Sequence, residues 1–114
     1  MTCTSSDDLE FRSVPQGASV LYSTGPKGVT DLTNYTCYMQ IRKFSSGDVV
    51  APEGYVTDYN EAEDSFVRLL LPSETSLLDV GKYYVSFEIT NTVTFESNEI
   101  SSILEIRKQR VVIP

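Results

Sequence analysis

The densest group of side chains with potential chemistry lies at residues 58–64, which read Asp-Tyr-Asn-Glu-Ala-Glu-Asp. Calcium binds six to eight oxygen ligands, and such a run could supply several of them. The spacing does not match an EF-hand loop, because Ala62 stands where a ligand is required and no glycine stands at the sharp turn. We therefore interpret the run as a solvated acidic loop between strands, with Tyr59, Glu61 and Asp64 as candidate contacts for a partner.

Residues that commonly perform catalysis are missing from the sequence. It contains no histidine, which is the usual general base at neutral pH and the commonest transition-metal ligand. It contains no Ser-His-Asp set, no glycine-rich phosphate-binding loop and no Cys-X-X-Cys motif. Paired carboxylates can hydrolyse glycosides, but nothing in the sequence sets such a pair apart. We expect a protein that is not an enzyme and that holds no cofactor or metal.

The two cysteines are predicted to be structural. Cys3 stands in a polar segment, whereas Cys37 falls on the apolar side of a strand pattern. A buried free cysteine behaves as a small hydrophobic residue, which is our prediction for Cys37. A disulfide between Cys3 and Cys37 is the alternative.

Seven tyrosines offer another kind of contact. Tyr38 and Tyr84 fall on the polar side of their strand patterns, and Tyr55 and Tyr59 stand near predicted loops. Tyrosine is favoured at protein interfaces, so these residues are candidate contacts for a protein partner or a carbohydrate. The alternative is a structural role, in which the ring is buried at a sheet edge and the hydroxyl stays in water.

The chain is acidic, with 16 acidic and 9 basic residues, a net charge of −7 and a pI near 4.4. This balance argues against binding to nucleic acid, which requires a basic surface. Three of the basic residues are Arg107, Lys108 and Arg110. We place Arg107 on the open face of the last strand, while residues 110–114 either end that strand or form an arm that adds to a neighbouring copy. Arg107 and Arg110 are candidate partner contacts.

At 114 residues the chain has the length of one domain. Residues 1–8 are polar and are predicted to form a flexible N-terminal tail rather than a secretory signal. No run approaches the roughly 18–20 apolar residues of a membrane span, so we expect no membrane partner. Residues 9–114 are predicted to form a single domain.

The hydrophobic pattern of the chain has a period of two, which is typical of half-buried strands. Alternation is clearest at residues 35–41 and 83–89, and shorter apolar runs stand at residues 9–11, 18–22, 65–71 and 100–106. The segment Pro15-Gln16-Gly17 separates the first two runs and indicates a bend or a switch between sheets. Seven to nine short strands at this spacing predict an all-β, immunoglobulin-like sandwich, with a small closed barrel as the alternative.

Turn residues predict the connections between these strands. Residues 25–28, 45–48 and 52–54 are predicted loops, because glycine and proline interrupt the apolar pattern there. Asn91 and Thr92 predict a hairpin turn, with residues 93–95 opening the next strand. One short helical turn is predicted near residues 73–80, with capping residues at its start and Gly81 as its C-cap.

This order of signals resembles a family of immunoglobulin-like domains of tailed-phage virion proteins. In particular, it is similar to the N-terminal domain of siphophage upper-baseplate proteins and to small stand-alone relatives. The resemblance covers about residues 9–107 and rests on the following segments: Gly17, the turn at 25–28, the Asp-Leu-Thr-Asn-Tyr of 31–35, the strand ending at Lys43, Leu69, Leu71, the loop at 75–80, the Gly-Lys-Tyr-Tyr of 81–84 and the strand through Ile106.

The resemblance implies a non-enzymatic assembly module in a virion, made in the host cytoplasm and docked on a capsid, neck or tail and baseplate surface. Its partners would be other virion structural proteins, with several copies in a symmetric assembly. It transfers no functional residues, because the shared positions are structural. Two further classes stay open: a carbohydrate-binding or adhesion module, which an aromatic row on one sheet face would favour, and a small acidic inhibitor or immunity-type protein.

Overall fold

A computed structural model describes residues 11–25, 32–60 and 65–108. The predictions for the tail at 1–8, Cys3, the turn at 26–28, Glu61, Asp64 and Arg110 lie outside these residues. The elements of the described segments are β1 (Phe11–Pro15), β2 (Val20–Thr24), β3 (Tyr35–Lys43), β4 (Val49–Tyr55), β5 (Asp58–Asn60), β6 (Ser65–Leu70), α1 (Pro72–Thr75), β7 (Gly81–Asn91) and β8 (Ser97–Arg107).

The strands form two sheets with the orders β1-β8-β7-β3-β4 and β2-β6-β5. All neighbouring pairs are antiparallel except β1 and β8, which run parallel. In the immunoglobulin nomenclature β2, β6 and β5 take the places of strands B, E and D, and β3, β7 and β8 those of C, F and G. The predicted all-β sandwich is therefore confirmed, and the barrel alternative is set aside.

The core lies between the sheets and follows the predicted alternation. Cys37, Met39 and Ile41 of β3 are buried, and so are alternate residues of β7 from Tyr83 to Ile89. Burying one face of each strand against the other sheet is the main favourable contribution to folding, since apolar area leaves water. Cys37 is a free, buried cysteine as predicted, and burial raises the pKa of its thiol to about 12.

The predicted break at residues 15–17 is where the chain changes sheets. β1 ends at Pro15, Gly17 has a φ of 88°, and β2 then begins in the opposite sheet. A positive φ of this kind is easily adopted by glycine because it has no Cβ. The Gln16 N–H donates to the Arg107 carbonyl at 2.8 Å and extends the contact between β1 and β8.

The helical turn is shorter than predicted, because α1 ends at Thr75. The Glu74 carboxylate accepts the Leu71 N–H at 2.9 Å and pairs with the Arg68 guanidinium at 2.7 Å. Gly81 is not a helix cap but the first residue of β7. The Tyr83 hydroxyl donates to the Asp79 carbonyl at 2.7 Å, which is the tyrosine corner found in immunoglobulin-like sandwiches.

Three further predictions about connections are wrong. Asp58–Asn60, the first part of the predicted acidic loop, form strand β5. Residues 52–54 form part of the edge strand β4, where the register against β3 shifts between Met39 and Ile41. Proline is tolerated on an edge strand because its missing N–H faces away from the ladder. The hairpin between β7 and β8 is present, but residues 93–95 lie in its loop rather than in a strand.

Candidate functional site

The candidate site is the outer face of the five-stranded sheet, which we define as the face turned away from the three-stranded sheet. Successive side chains of a strand point to opposite faces. Because Met39 and Phe87 point into the core, the residues beside them in β3 and β7 point outward. The strand register then determines which outward residues are neighbours across the sheet.

An apolar row crosses the outer face from edge to edge. Phe11, Ile103, Tyr84, Arg42 and Val49 are successive partners on β1, β8, β7, β3 and β4. We call Phe11, Ile103, Tyr84 and Val49 the apolar row, and Arg42 interrupts it. Phe11 is 53% exposed and Tyr84 is 39% exposed. Five strands at a spacing of about 4.8 Å make this row about 19 Å long.

Phe44 extends the apolar surface beside Tyr84. The two rings are stacked with their centroids 4.7 Å apart and their planes inclined by 20°. The Lys82 ammonium nitrogen lies 6.0 Å from the centroid of the Phe44 ring, at the limit of a cation–π contact. A surface depression of about 400 Å³ adjoins this corner and is lined in part by Phe44, Asp79 and Lys82.

A second aromatic pair occupies the same face toward the opposite end of the strands. Tyr38 and Tyr55 are partners on β3 and β4, with centroids 5.0 Å apart and planes at 83°. The Tyr38 hydroxyl donates to Glu53 Oε2 at 3.1 Å, and Gln40 Nε2 donates to the same oxygen at 3.3 Å. The hydrogen bond to this carboxylate raises the pKa of Tyr38, because the phenolate would lose it and stand beside a negative charge.

Charge is divided between the two ends of the outer face. Near the apolar row the outward side chains of β3, β7 and β8 include the basic Arg42, Lys82 and Arg107 and the acidic Glu105, and Asp79 lines the adjoining depression. Beyond the middle of the strands the charged side chains of β4, β7 and β8 are Glu53, Glu88 and Glu99. We call these two regions the basic half and the acidic half.

Between the halves lies a band of small side chains. Ser86 and Ser101 are partners on β7 and β8, and their hydroxyls are hydrogen-bonded to each other at 3.1 Å. Gln40 continues the band on β3. We call Ser101, Ser86 and Gln40 the serine band.

The structure brings together three of the residues predicted to contact a partner. Tyr38, Tyr84 and Arg107 all lie on the outer face, and Arg107 Nε donates to Ser13 Oγ at 2.8 Å. Tyr59 lies in β5 of the other sheet, where its ring is 6.3 Å from that of Phe66. Their predicted role as contacts stays a prediction.

Sequence reasoning missed most of the apolar row. Phe11, Ile103 and Val49 come from separate parts of the chain and meet only through the register of four strand pairs. Phe44 was missed because it follows the last residue of β3, at the start of a turn. The one usable signal was the presence of Tyr84 on the polar side of an alternating strand.

The loop between β7 and β8 forms a second exposed apolar feature. Val93 is 66% exposed and Phe95 is 80% exposed. Phe95 has a φ of 64°, and its N–H donates to the Asn91 carbonyl at 2.7 Å. The Asn91 side chain accepts the N–H groups of Val93 and Thr94, so the loop is held by its own hydrogen bonds.

Other kinds of site have little support in the described residues. In the segments that the structure describes, no group of three or more acidic or cysteine side chains is placed to hold a metal ion. Within the same residues no helix has the length and apolar character to cross a bilayer. The thiol of Cys37 is buried and has a raised pKa, so little of it is ionised at neutral pH.

Comparisons with known proteins identify no relative of the chain, so any functional argument rests on the outer face. No protein-family model matches the chain, and no match was found among curated proteins or among solved structures.

Proposed function

We propose that this protein is a non-enzymatic docking module that binds another protein through the outer face. The observation that carries the proposal is the apolar row, which has a member on each of four strands, is interrupted by Arg42 on β3 and is continued beside Tyr84 by Phe44. Contiguous exposed apolar surface with a polar rim is characteristic of protein interaction sites. Aromatic and arginine side chains, such as Tyr84 and Arg42 here, are enriched in such sites.

The specific setting that we propose is a virion, in which the module docks on a capsid, neck or tail and baseplate surface. Support comes from the resemblance of the strand and turn signals to immunoglobulin-like virion domains. A net charge of −7 is also suited to this role, since it keeps free subunits soluble before assembly. The virion setting also names the partner, so the docking surface is tested on virion particles.

A carbohydrate-binding module is the second candidate, because several aromatic rings share one sheet face. Sugars bind such modules by stacking on the open faces of aromatic rings. Here Phe44 and Tyr84 cover one face of each other, and Tyr38 and Tyr55 pack edge to face. This mutual packing reduces the ring area open to a sugar, and it therefore favours the protein partner.

The virion setting is tested by mass spectrometry of particles purified from the strain that carries the gene. Recovery of the chain in amounts comparable with other structural proteins, retained after a high-salt wash, is the expected result. Absence of the chain from the particles would refute the virion setting.

The docking surface is tested by adding back variants of the chain to particles that lack it. Tyr84→Ser is expected to lower the amount bound at least tenfold, because it removes the centre of the apolar row. Leu21→Ser is the matched control, since Leu21 is also an exposed apolar residue, on a strand of the other sheet. Equal binding of both variants and the wild type would refute the role of the outer face.

The carbohydrate alternative is tested with the same pair of variants on a glycan array. Binding of a glycan by the wild type that is lost in Tyr84→Ser and kept in Leu21→Ser would replace the protein partner by a sugar.

A further inference from the structure

We propose that the outer face binds a second copy of this chain, face to face and with the strands of the two copies antiparallel about a two-fold axis. This inference rests on the proposed docking role of the outer face and names its partner. Three features of the described residues carry it: the distribution of charge along β7, the placement of the serine band, and the edges of the five-stranded sheet.

The first feature is that the charge along β7 is self-complementary. Lys82 lies in the basic half and Glu88 in the acidic half, and both point outward on the central strand of the sheet. They are six positions apart, which corresponds to about 20 Å along the strand. A two-fold axis across β7 midway between them places Lys82 of each copy opposite Glu88 of the other. Each dimer then contains this ion pair twice.

The second feature is that the same axis matches large side chains with small ones. It lies level with Val85, so Tyr84 of one copy faces Ser86 of the other. On β8, Ile103 likewise faces Ser101, because the two strands share one register. The two serine hydroxyls share one hydrogen bond, so covering them leaves one hydroxyl proton, rather than two, in need of a partner. The two central members of each apolar row, Ile103 and Tyr84, are thus covered by serines of the partner copy.

The axis also brings aromatic side chains together on β3. Phe44 of one copy faces Tyr38 of the other, because Phe44 is level with Lys82 and Tyr38 is level with Glu88. One pairing is unfavourable, since Glu105 faces Glu99 on β8. Glu105 accepts a hydrogen bond from Ser13 Oγ, which itself accepts one from Arg107. The Arg107 charge therefore lies beside this pair and lowers its cost.

The third feature is that both edges of the sheet are poor sites for adding a strand. β4 contains Pro52, and its register shifts by a bulge. β1 has five residues and ends at Pro15. Prolines, bulges and short length protect edge strands from pairing with other chains. The face, rather than an edge, is therefore the surface open to a second copy.

The size of the face sets the strength of the contact. The five strands, about 4.8 Å apart, give the face a width of about 19 Å, and the nine residues 82–90 of β7, about 3.4 Å apart, give it a length of about 27 Å. The area is therefore about 500 Å² per copy. The total of about 1,000 Å² stands at the lower limit for a specific interface. We therefore expect a dimer with a dissociation constant in the micromolar range, weakened further by salt because its ion pairs are exposed.

The experiment is sedimentation equilibrium of the purified chain from about 5 to 500 μM, at low and high salt. Dimer formation at low salt is expected, and Lys82→Glu or Glu88→Lys alone is expected to weaken it at least tenfold, because symmetry turns both ion pairs into repulsions. An equimolar mixture of the two variants is expected to dimerise again, since each altered site then meets an opposite charge on the other variant.

The control separates this specific pairing from general attraction between proteins of different charge. Asp58→Lys changes the net charge as Glu88→Lys does, but Asp58 lies on the three-stranded sheet. It is expected to dimerise as the wild type does. Its heterodimer with Lys82→Glu is expected to be weaker than the heterodimer of Lys82→Glu with Glu88→Lys, because one of its two ion pairs becomes a repulsion. A monomer at 500 μM in low salt, or a mixture of Lys82→Glu and Glu88→Lys that stays monomeric, would overturn the inference. The particle-binding test with Tyr84→Ser would still decide the docking role.

Discussion

Replacement of Phe95 by glycine is expected to stabilise the protein slightly, although it removes a large apolar side chain. Phe95 is the one non-glycine residue with a positive φ in the described segments, at 64°. A Cβ in this left-handed region costs about 1–2 kcal/mol, which glycine does not pay. Because the ring is 80% exposed, its loss removes about a fifth of the burial energy of a large apolar side chain, or about 0.3–0.6 kcal/mol.

The remaining cost of the glycine is the added freedom of the unfolded chain, about 0.4–1 kcal/mol. The three contributions together raise the free energy of unfolding by about 0.4 kcal/mol. A comparison with Phe95→Ala is more decisive, because both variants lack the ring and they differ only in the Cβ. Phe95→Gly is expected to be more stable than Phe95→Ala by about 0.8 kcal/mol, or about 3 °C in melting temperature.

The assay is urea unfolding followed by circular dichroism, with Val93→Gly and Val93→Ala as the matched control pair. Val93 lies in the same loop and is also mostly exposed, but its φ is not positive. The order of stability is expected to reverse there, with the glycine variant less stable by about 0.4–1 kcal/mol. If Phe95→Gly proves less stable than Phe95→Ala, the argument from backbone strain is refuted.

Three further predictions concern residues whose surroundings in the fold are well defined. The hydrogen bond from Arg68 lowers the pKa of Glu74 in the folded protein. The pair therefore stabilises the fold fully above the unfolded pKa of about 4.3, and this contribution is lost as the pH falls through the lower folded pKa. Glu74→Gln should lower the free energy of unfolding by about 1–2 kcal/mol at pH 7 and by much less at pH 3, measured by urea unfolding at both pH values. Tyr83→Phe should lower the free energy of unfolding by about 1 kcal/mol in the same assay, because it removes the hydroxyl that donates to the Asp79 carbonyl and leaves that carbonyl without this donor. In a Cys3→Ser background, Cys37 should react with a thiol reagent only at the rate of unfolding, and rapid reaction in native buffer would contradict its burial.

The parts of the fold that follow from the sequence are those in which one strand carries its own signal. β3 and β7 alternate strictly because one face of each is buried, so their inward residues could be identified directly. β4 could not, because Pro52 and Gly54 are typical of loops and are accepted here only by an edge strand. Local pattern does not show which strand lies at an edge.

The candidate site was predictable only in part for a similar reason. Tyr38 and Tyr84 could be assigned to an outward face from their own strands. Their neighbours Phe11 and Ile103 could not, because a parallel pairing between the first and last described strands leaves no trace in local sequence. Register is set by tertiary packing, and a shift of one residue would have turned either side chain to the other face.

The parallel pairing of β1 with β8 also determines how the domain bears mechanical load. A force that separates the N-terminal side of β1 from the C-terminal side of β8 acts along both strands in opposite directions. The hydrogen bonds of the five paired positions, and the one from Gln16 to Arg107, are then strained together in shear rather than broken one after another. A copy held at both sides of the domain would resist extension through this patch.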